Sequence, residues 1–368
     1  KTLEKLEFTV QKTAQNSYTV TVPTFRATKD VSIEDDLIEE IARMYGYENI
    51  EPTLPLLPTK LPSINHERTH KHLTRELFSY GLGFDEVYNY SFYGQEELKN
   101  CLIPDLHHLK LQNYLSADQT HLRTSMIPNL LKNLVSNAKN LDQIQIYEIG
   151  HTYKEIGQFM PLEEKRLAGA IMIKGKNNDD PFYQAKGAIE QFFKQFHLPA
   201  PKMSKGIENA PYAHPAKAAS YIDQNAQTLA QVFTLHPLVL RNHDLDNYSI
   251  AIFDINFTEA MRLAKDDHKY RQIPKFPSST FDISVLIDRN LEVGQVSQAI
   301  RSADKALITE TTLFDIYQGE GIAEDKKAVA FKITLQSNDH TLTDDEMTTT
   351  QNQIFKNLEK IGGVIRGR

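Results

Sequence analysis

The sequence predicts an α+β protein that ends in a βαββαβ domain, and three observations in residues 276–368 predict it. The first is element order: FPSSTFDISVLIDRN, GQVSQAIRSA, LITETTLFDIYQGEG, AVAFKITLQSND, TLTDDEMTTTQNQIFKNLEKIG and VIRGR read as strand, helix, strand, strand, helix, strand. That is the split-βαβ, ferredoxin-like order, with two helices on one face of an antiparallel sheet. The second is a period of two, with Ile283, Val285 and Ile287 pointing one way, as do Val329, Phe331, Ile333 and Leu335. The third is a start signal, because Thr343 and Glu346 form an S/T-x-x-E capping box ahead of Met347, Ile354 and Leu358.

The remaining elements follow in order. LEFTVQKTAQNSYTVTVPTFRATKD holds two alternating strands around a polar turn. A helix over 32–46 has Ser32 as N-cap and Gly46 as stop, with Ile33, Leu37, Ile41 and Met44 as its buried stripe. Four prolines in EPTLPLLPTKLP mark a linker. A helix then runs to Gly81-Leu82-Gly83, followed by a strand over 86–92. Ile127-Pro128 opens a helix carrying Leu130, Leu131 and Leu134. IQIYEIGHTYK and LAGAIMIKG read as strands. In DPFYQAKGAIEQFFKQFHL, Ala185, Ile189, Phe192 and Phe193 form a buried helical face. A hairpin leads to another short helix, and NYSIAIFDINF is a final strand. This order fits an antiparallel α+β sheet.

Composition bounds the function. The chain has 368 residues, enough for two or three domains, with 40% hydrophobic and 24% charged residues. No run of about 18 apolar residues exists, so no membrane span is expected. The N-terminal stretch lacks the apolar core of a signal peptide. One cysteine, Cys101, excludes an internal disulfide and fits a reducing cytoplasm; it lies in a polar stretch and reads as inert. The net charge of −7 argues against nonspecific attraction of polyanions. Residues 274–368 carry eleven basic and fourteen acidic side chains, so RNA contact there needs a local patch and base contacts. His214 and His236 have no zinc spacing and read as conformational or packing residues. Phosphate-loop, dinucleotide, H-E-x-x-H and G-x-S-x-G motifs are absent from the sequence.

Asp36, Glu39 and Glu40 stand at i, i+3 and i+4 and repel one another by roughly 0.2–0.5 kcal/mol per pair. The helix N-terminus offsets this, and so would a hard divalent cation, with Asp30 within reach of the same spot. An acidic first turn neutralised by Arg43 needs no metal.

FPSSTFDISVLID, LFDIYQG, TLTDDE and the terminal VIRG resemble the anticodon-binding domain that ends the bacterial phenylalanyl-tRNA synthetase β subunit. FRATKDVSIEDDLIEEIARMYGYENI is similar to the segment closing that family's metal-binding module. LSADQTHLRTSMIPNLLKNL and IYEIGHTYK are similar to its class II synthetase-like core. The resemblance implies a C-terminal portion of a longer subunit. It divides the chain into a partial metal module with linker at 1–61, a catalytically degenerate class II-like core at 62–262, a linker at 263–275 and the anticodon-binding domain at 276–368. It implies Mg2+ at Asp30, Asp36, Glu39 and Glu40, and anticodon contacts at Ser284, Asp315, Tyr317, Ala328 and Arg366. The implied partners are a catalytic α subunit, in an α2β2 heterotetramer, and tRNA(Phe). The loop 154–157 has no Arg-x-Glu, and the strand near 250–257 has no Gly-rich stretch ending in Glu-Arg, so the core lacks the cationic clamps that hold a triphosphate. Chemistry would fall to the α subunit. A stand-alone RNA-binding or scaffold protein is the alternative.

Overall fold

The computed structural model describes residues 1–175, 180–199, 201–265, 270 and 272–366. Of the expected connector 263–275, residues 266–269 and 271 lie outside the described residues, as do 367 and 368 at the end of the last domain. The chain divides into two compact units, 1–76 and 77–368.

In the first unit, helix α1 (Thr2–Lys5) precedes a hairpin of β1 (Thr9–Ala14) and β2 (Ser17–Thr21). Helix α2 (Glu34–Tyr45) follows, then a 3-10 turn (Tyr47–Asn49) and α3 (His66–Arg75). Residues 51–65 hold no helix or strand. The core is small: Leu3, Phe8 and Val31 are buried, with Leu37 and a few valines against them. This corrects the buried stripe expected on α2. Ile33, Ile41 and Met44 are all exposed, and only Leu37 of the four joins the core. The buried α2 side chain is Glu40. The helix start is also one residue later than expected. Ile33 takes the N-cap position, and the Asp36 carboxylate reaches back to accept the amide hydrogens of Ser32 and Ile33, at 2.6 and 2.9 Å. The carboxylate at the third helical position thus takes the amides that lead into the helix, the reciprocal half of a capping box, while Ile33 has no side-chain acceptor to cap the first turn.

A π-helical turn (Glu76–Gly81) leads into the second unit. β3 (Asp85–Glu86) and β4 (Phe92–Tyr93) replace the single strand expected over 86–92. The two residues of β3 pair in parallel at a sheet edge, while β4 pairs with β5 (His121–Leu122) elsewhere. The alternation of Val87, Tyr88, Asn89, Tyr90 and Ser91 reflects an irregular segment with exposed tyrosines at 88 and 90.

Around these lie α4 (Gln95–Asn100), α5 (Ile127–Asn137), β6 (Gln143–Lys154), β7 (Leu162–Lys174), α6 (Pro181–Gln195), β8 (Lys202–Lys205), β9 (Ala213–Ile222), β10 (Thr228–Leu235), α7 (Pro237–Asn242), β11 (Tyr248–Asn256) and α8 (Phe257–Leu263). Seven strands form one sheet in the order β3-β6-β7-β11-β10-β9-β8, antiparallel except at β3–β6. Both faces are covered, which is why β7 reads as a continuous apolar run. Ala168, Ala170 and Met172 pack with Leu130, Leu131 and Leu134 of α5. On the other face, Tyr147, Gly169 and Phe253 form one cross-strand row beneath Phe78. A Cβ at residue 169 would stand 2.3 Å from the Phe253 ring, so only glycine admits that ring.

The unit ends with β12 (Ser279–Asp288), α9 (Val293–Arg301), β13 (Ile308–Tyr317), β14 (Lys326–Leu335), α10 (Asp344–Lys360) and β15 (Val364–Arg366), in the sheet order β13-β14-β12-β15. The two helices close one face over Val285, Ile287, Val329, Phe331 and Ile333. The capping box of α10 forms as its sequence predicts, with Glu346 N–H on Thr343 Oγ1 at 3.3 Å and Thr343 N–H on Glu346 Oε2 at 2.9 Å. The molecule is therefore α+β throughout.

Candidate nucleic-acid interface

The uncovered face of the terminal sheet is the place to look for a partner, because strand alternation sends every second side chain there. The register places Asp315, Ala330, Ser284 and Arg366 in one cross-strand row. The adjacent row is Tyr317, Ala328, Leu286 and Val364. All five residues singled out in the sequence therefore share this face. Tyr317 is 45% exposed, and its hydroxyl donates to Glu320 O at 3.2 Å. A Cβ at residue 319 would meet that hydroxyl at 2.9 Å, so Gly319 gives the ring its room. Ala328 is buried between larger neighbours and contributes shape, not a donor.

Sequence reasoning missed two neighbours. Lys332 lies exposed in the next row of the same face, opposite Asp282 and Thr312. Phe314 is exposed on β13 where the register shifts between Leu313 and Asp315. The alternation of β14 could have revealed Lys332. The bulge breaks the period of two, so no pattern in β13 reveals Phe314.

The carboxylates of α2 are arranged differently from a metal cage. Arg26 spans Asp30 and Glu40, with Nε–Oδ2 at 2.5 Å and Nη2–Oε1 at 2.9 Å, and Arg43 Nη2 reaches the other Glu40 oxygen at 2.6 Å. These bonds, Arg26 first and then Arg43, hold the Glu40 carboxyl at about 2. Asp36 is spent on the helix start, and the Ser32 and Ile33 amides lower its pKa. Among the described residues, no group of three or more His, Cys, Asp or Glu side chains is placed to hold a metal ion.

In the seven-stranded core, arginines meet acids. Arg123 and Glu148 form an ion pair at 2.8 Å, both about 2–3% exposed, and Arg123 Nε donates to His151 O at 2.8 Å. Arg166 pairs with Asp254 at 3.0 Å. Neither cation is available to clamp a phosphate. Glu148 was visible as a charge on the Ile144–Ile146 side of its strand, but its partner 25 positions upstream was not. His214 and His236 each accept a backbone amide two residues on through Nδ1, from Ala216 at 3.1 Å and Leu238 at 3.2 Å, which are local turn and cap roles. Cys101, whose polar, surface-like sequence stretch suggests exposure, is instead fully buried 3.8 Å from His243 Nε2. Burial pushes its thiol up to about 12, which keeps it unreactive.

A seven-stranded core sheet covered on both faces, followed by a ferredoxin-fold domain with one open, mixed-charge face, defines the class of α+β chain to which this one belongs. Residues 50–257 match the family model described as the phenylalanyl tRNA synthetase beta chain CLM domain. Residues 274–366 match the ferredoxin-fold anticodon binding domain, and residues 1–47 match the tRNA synthetase B5 domain. The chain belongs to the phenylalanyl-tRNA synthetase β chain family. It is 31% identical over 362 residues to the phenylalanine–tRNA ligase beta subunit of Geobacillus kaustophilus strain HTA426, covering 95% of this chain and 44% of that protein. The corresponding subunit of Solibacter usitatus strain Ellin6076 is 31% identical, covering 99% and 46%. That of Moorella thermoacetica strain ATCC 39073 is 33% identical, also covering 99% and 46%. The chain thus spans a little under half the length of these relatives. Among the described residues, no helix is long and apolar enough to cross a membrane.

Proposed function

We propose that this chain works within an enzyme that attaches phenylalanine to tRNA(Phe) at the expense of ATP, and that it reads the anticodon while supporting a catalytic α subunit in an α2β2 assembly in the cytoplasm. The observation that carries the reading is the gathering of Ser284, Asp315, Tyr317, Ala328 and Arg366 on one uncovered sheet face in a domain of the anticodon-binding type. Such a face suits unpaired bases. Tyr317 supplies a stacking ring, Arg366 a cation for phosphate or a base edge, and Asp315 an acceptor for an exocyclic amine. Ser284 can donate or accept, and Ala328 leaves space for a base to lie flat.

The division of labour follows the segments 1–61, 62–262, 263–275 and 276–368, as partial metal module, degenerate core, connector and anticodon reader. The spent arginines of the core support a non-catalytic role. The quartet Asp30, Asp36, Glu39 and Glu40 is the counterpart of the family's Mg2+ site, but its arrangement does not fit a hard cation. Arg26 and Arg43 already hold Asp30 and Glu40, and the Ser32 and Ile33 amides hold Asp36, so three of the four carboxylates are engaged and no step is routed through a metal in this chain.

The test is binding of a tRNA(Phe) anticodon stem–loop to the whole chain at fixed salt, by fluorescence anisotropy. Tyr317→Ala is expected to weaken binding by about tenfold or more, since stacking on an aromatic side chain is worth about 1–3 kcal/mol per base. Arg366→Ala is expected to weaken binding and flatten its salt dependence. Unchanged affinity in both variants would refute the reading.

A further inference from the structure

We infer that the cavity between α5 and the 88–93 segment is a binding site for a donor-rich organic cation, a guanidinium or primary ammonium group. The cavity has a volume of about 340 Å³ and is lined by Tyr88, Tyr90, Glu97, Asn129, Lys132 and Asn133 among others. That is within the usual range of small-molecule sites.

The argument rests on fixed amide orientations. Asn129 is 8% exposed, and its Nδ2 donates to two backbone carbonyls, Tyr90 O at 3.3 Å and Phe92 O at 3.4 Å. Flipping the amide would set its oxygen against both carbonyls, so the orientation is forced. Asn129 Oδ1 is left buried without a hydrogen-bond donor. A buried acceptor of this kind is the exception in folded proteins and needs a partner.

A second relay points the same way. Arg123 holds Glu148 as a carboxylate acceptor, and Asn89 Nδ2 donates to Glu148 Oε2 at 2.8 Å. Asn89 must then present its oxygen, which accepts from Asn133 Nδ2 at 3.2 Å. Asn133 is thereby left with its own oxygen as an acceptor at the cavity. The ion pair deep in the core thus sets the polarity of the wall.

Charge selects the donor. Lys132 and Asp118 offset each other at 3.5 Å, which leaves the half-buried Glu97 as the uncompensated charge on the lining. At the N-terminus of α5 the Ile127 amide is spent on Ser125 Oγ, Pro128 has none and the Leu130 amide bonds Met126 O, so the Asn129 amide is the single donor the first turn adds. At the mouth, Tyr90 is 73% exposed and offers a ring face to a cation. Acceptors, one carboxylate and a tyrosine face together match a group that has several N–H donors and no acceptor.

The probe is agmatine, titrated into the whole chain and followed by NMR of the Asn129 and Asn133 side-chain amides, with acetate as control. Saturable shifts with agmatine alone are expected. Asn129→Ala should weaken binding by about threefold or more by removing the buried acceptor, and Glu97→Gln should weaken it by about as much by removing the charge facing the cation. Glu97→Gln keeps an oxygen for the Gly94 amide, so it guards against a folding artefact of the Asn129 variant. A blocked Gly-Arg-Gly peptide distinguishes two sources. Binding of the peptide at the same amides assigns a protein side chain as the occupant, and exclusion of the peptide with retention of agmatine assigns a small free amine. Absence of saturable shifts, indifference to both variants, or tighter binding of acetate would overturn the proposal.

Discussion

At the scale of single residues, partners decide what a charge does. Glu40 sits in a run of acids that looks like a solvated first turn or a ligand set, yet it is the buried residue of its helix because Arg26, fourteen positions upstream, folds over it. Its carboxyl lies at about 2 instead of its usual value near 4.5. A depressed folded-state value means that the ion pair adds stability above the unfolded value and loses it as pH falls. The loss should therefore run from about pH 4.5 down to about 2. The check is a carbon-detected NMR titration of the Glu40 carboxyl in the intact chain. Arg26→Met should move its midpoint upward toward the ordinary value, and an unmoved midpoint would show that Arg43 alone sets it. The four carboxylates were legible in the sequence, as was Arg43 as their neutraliser. Arg26 was not, because nothing in local spacing reveals an interaction made by a loop returning across a helix.

At the scale of elements, legibility follows periodicity. The last domain could be read because its central strands β12 and β14 bury one face only, so their side chains alternate, and because Thr343 and Glu346 announce α10. The face shared by Asp315 and Tyr317 followed from the same alternation. The segment after α3 misled because alternating aromatic and polar residues there belong to a loop whose tyrosines face outward. In α2, apolar residues at helical spacing did not mean burial, since the first unit's core is large enough to take only Leu37. The doubly covered sheet gave the opposite problem. β7 is apolar from Leu167 to Ile173, so Gly169 passed unnoticed although it admits Phe253 to the row it shares with Tyr147. Gly169→Ala should cost about 1–3 kcal/mol, the usual penalty for overpacking a filled core. Thermal unfolding by circular dichroism measures it. If Phe253→Leu in the same background restores most of the loss, the ring contact is the cause; if it adds to the loss, the backbone contact with Ile146 O is.

At the scale of the molecule, the arginines in view lead away from catalysis. A core that activates an amino acid with ATP must hold a triphosphate with fixed cations. Here Arg123 lies buried on Glu148, and Arg166 is paired with Asp254. Freeing either would leave a carboxylate uncompensated in the interior at a cost of several kcal/mol, more than a weak phosphate contact returns. The chain alone should therefore be silent in phenylalanine-dependent exchange of pyrophosphate into ATP, and mixing with a purified cognate α subunit should bring exchange into view. Turnover by the isolated chain would mean that a cationic site exists outside these two pairs and would end the degenerate-core reading. Silence in the mixture, with anticodon stem–loop binding intact, would favour the scaffold alternative, because a surface that recognises RNA without assembling an enzyme is what that alternative requires. Tyr317→Ala separates the two functions further. It should leave exchange in the mixture unchanged, since activation of phenylalanine involves no tRNA, while lowering transfer to tRNA at limiting tRNA by about the tenfold lost in binding.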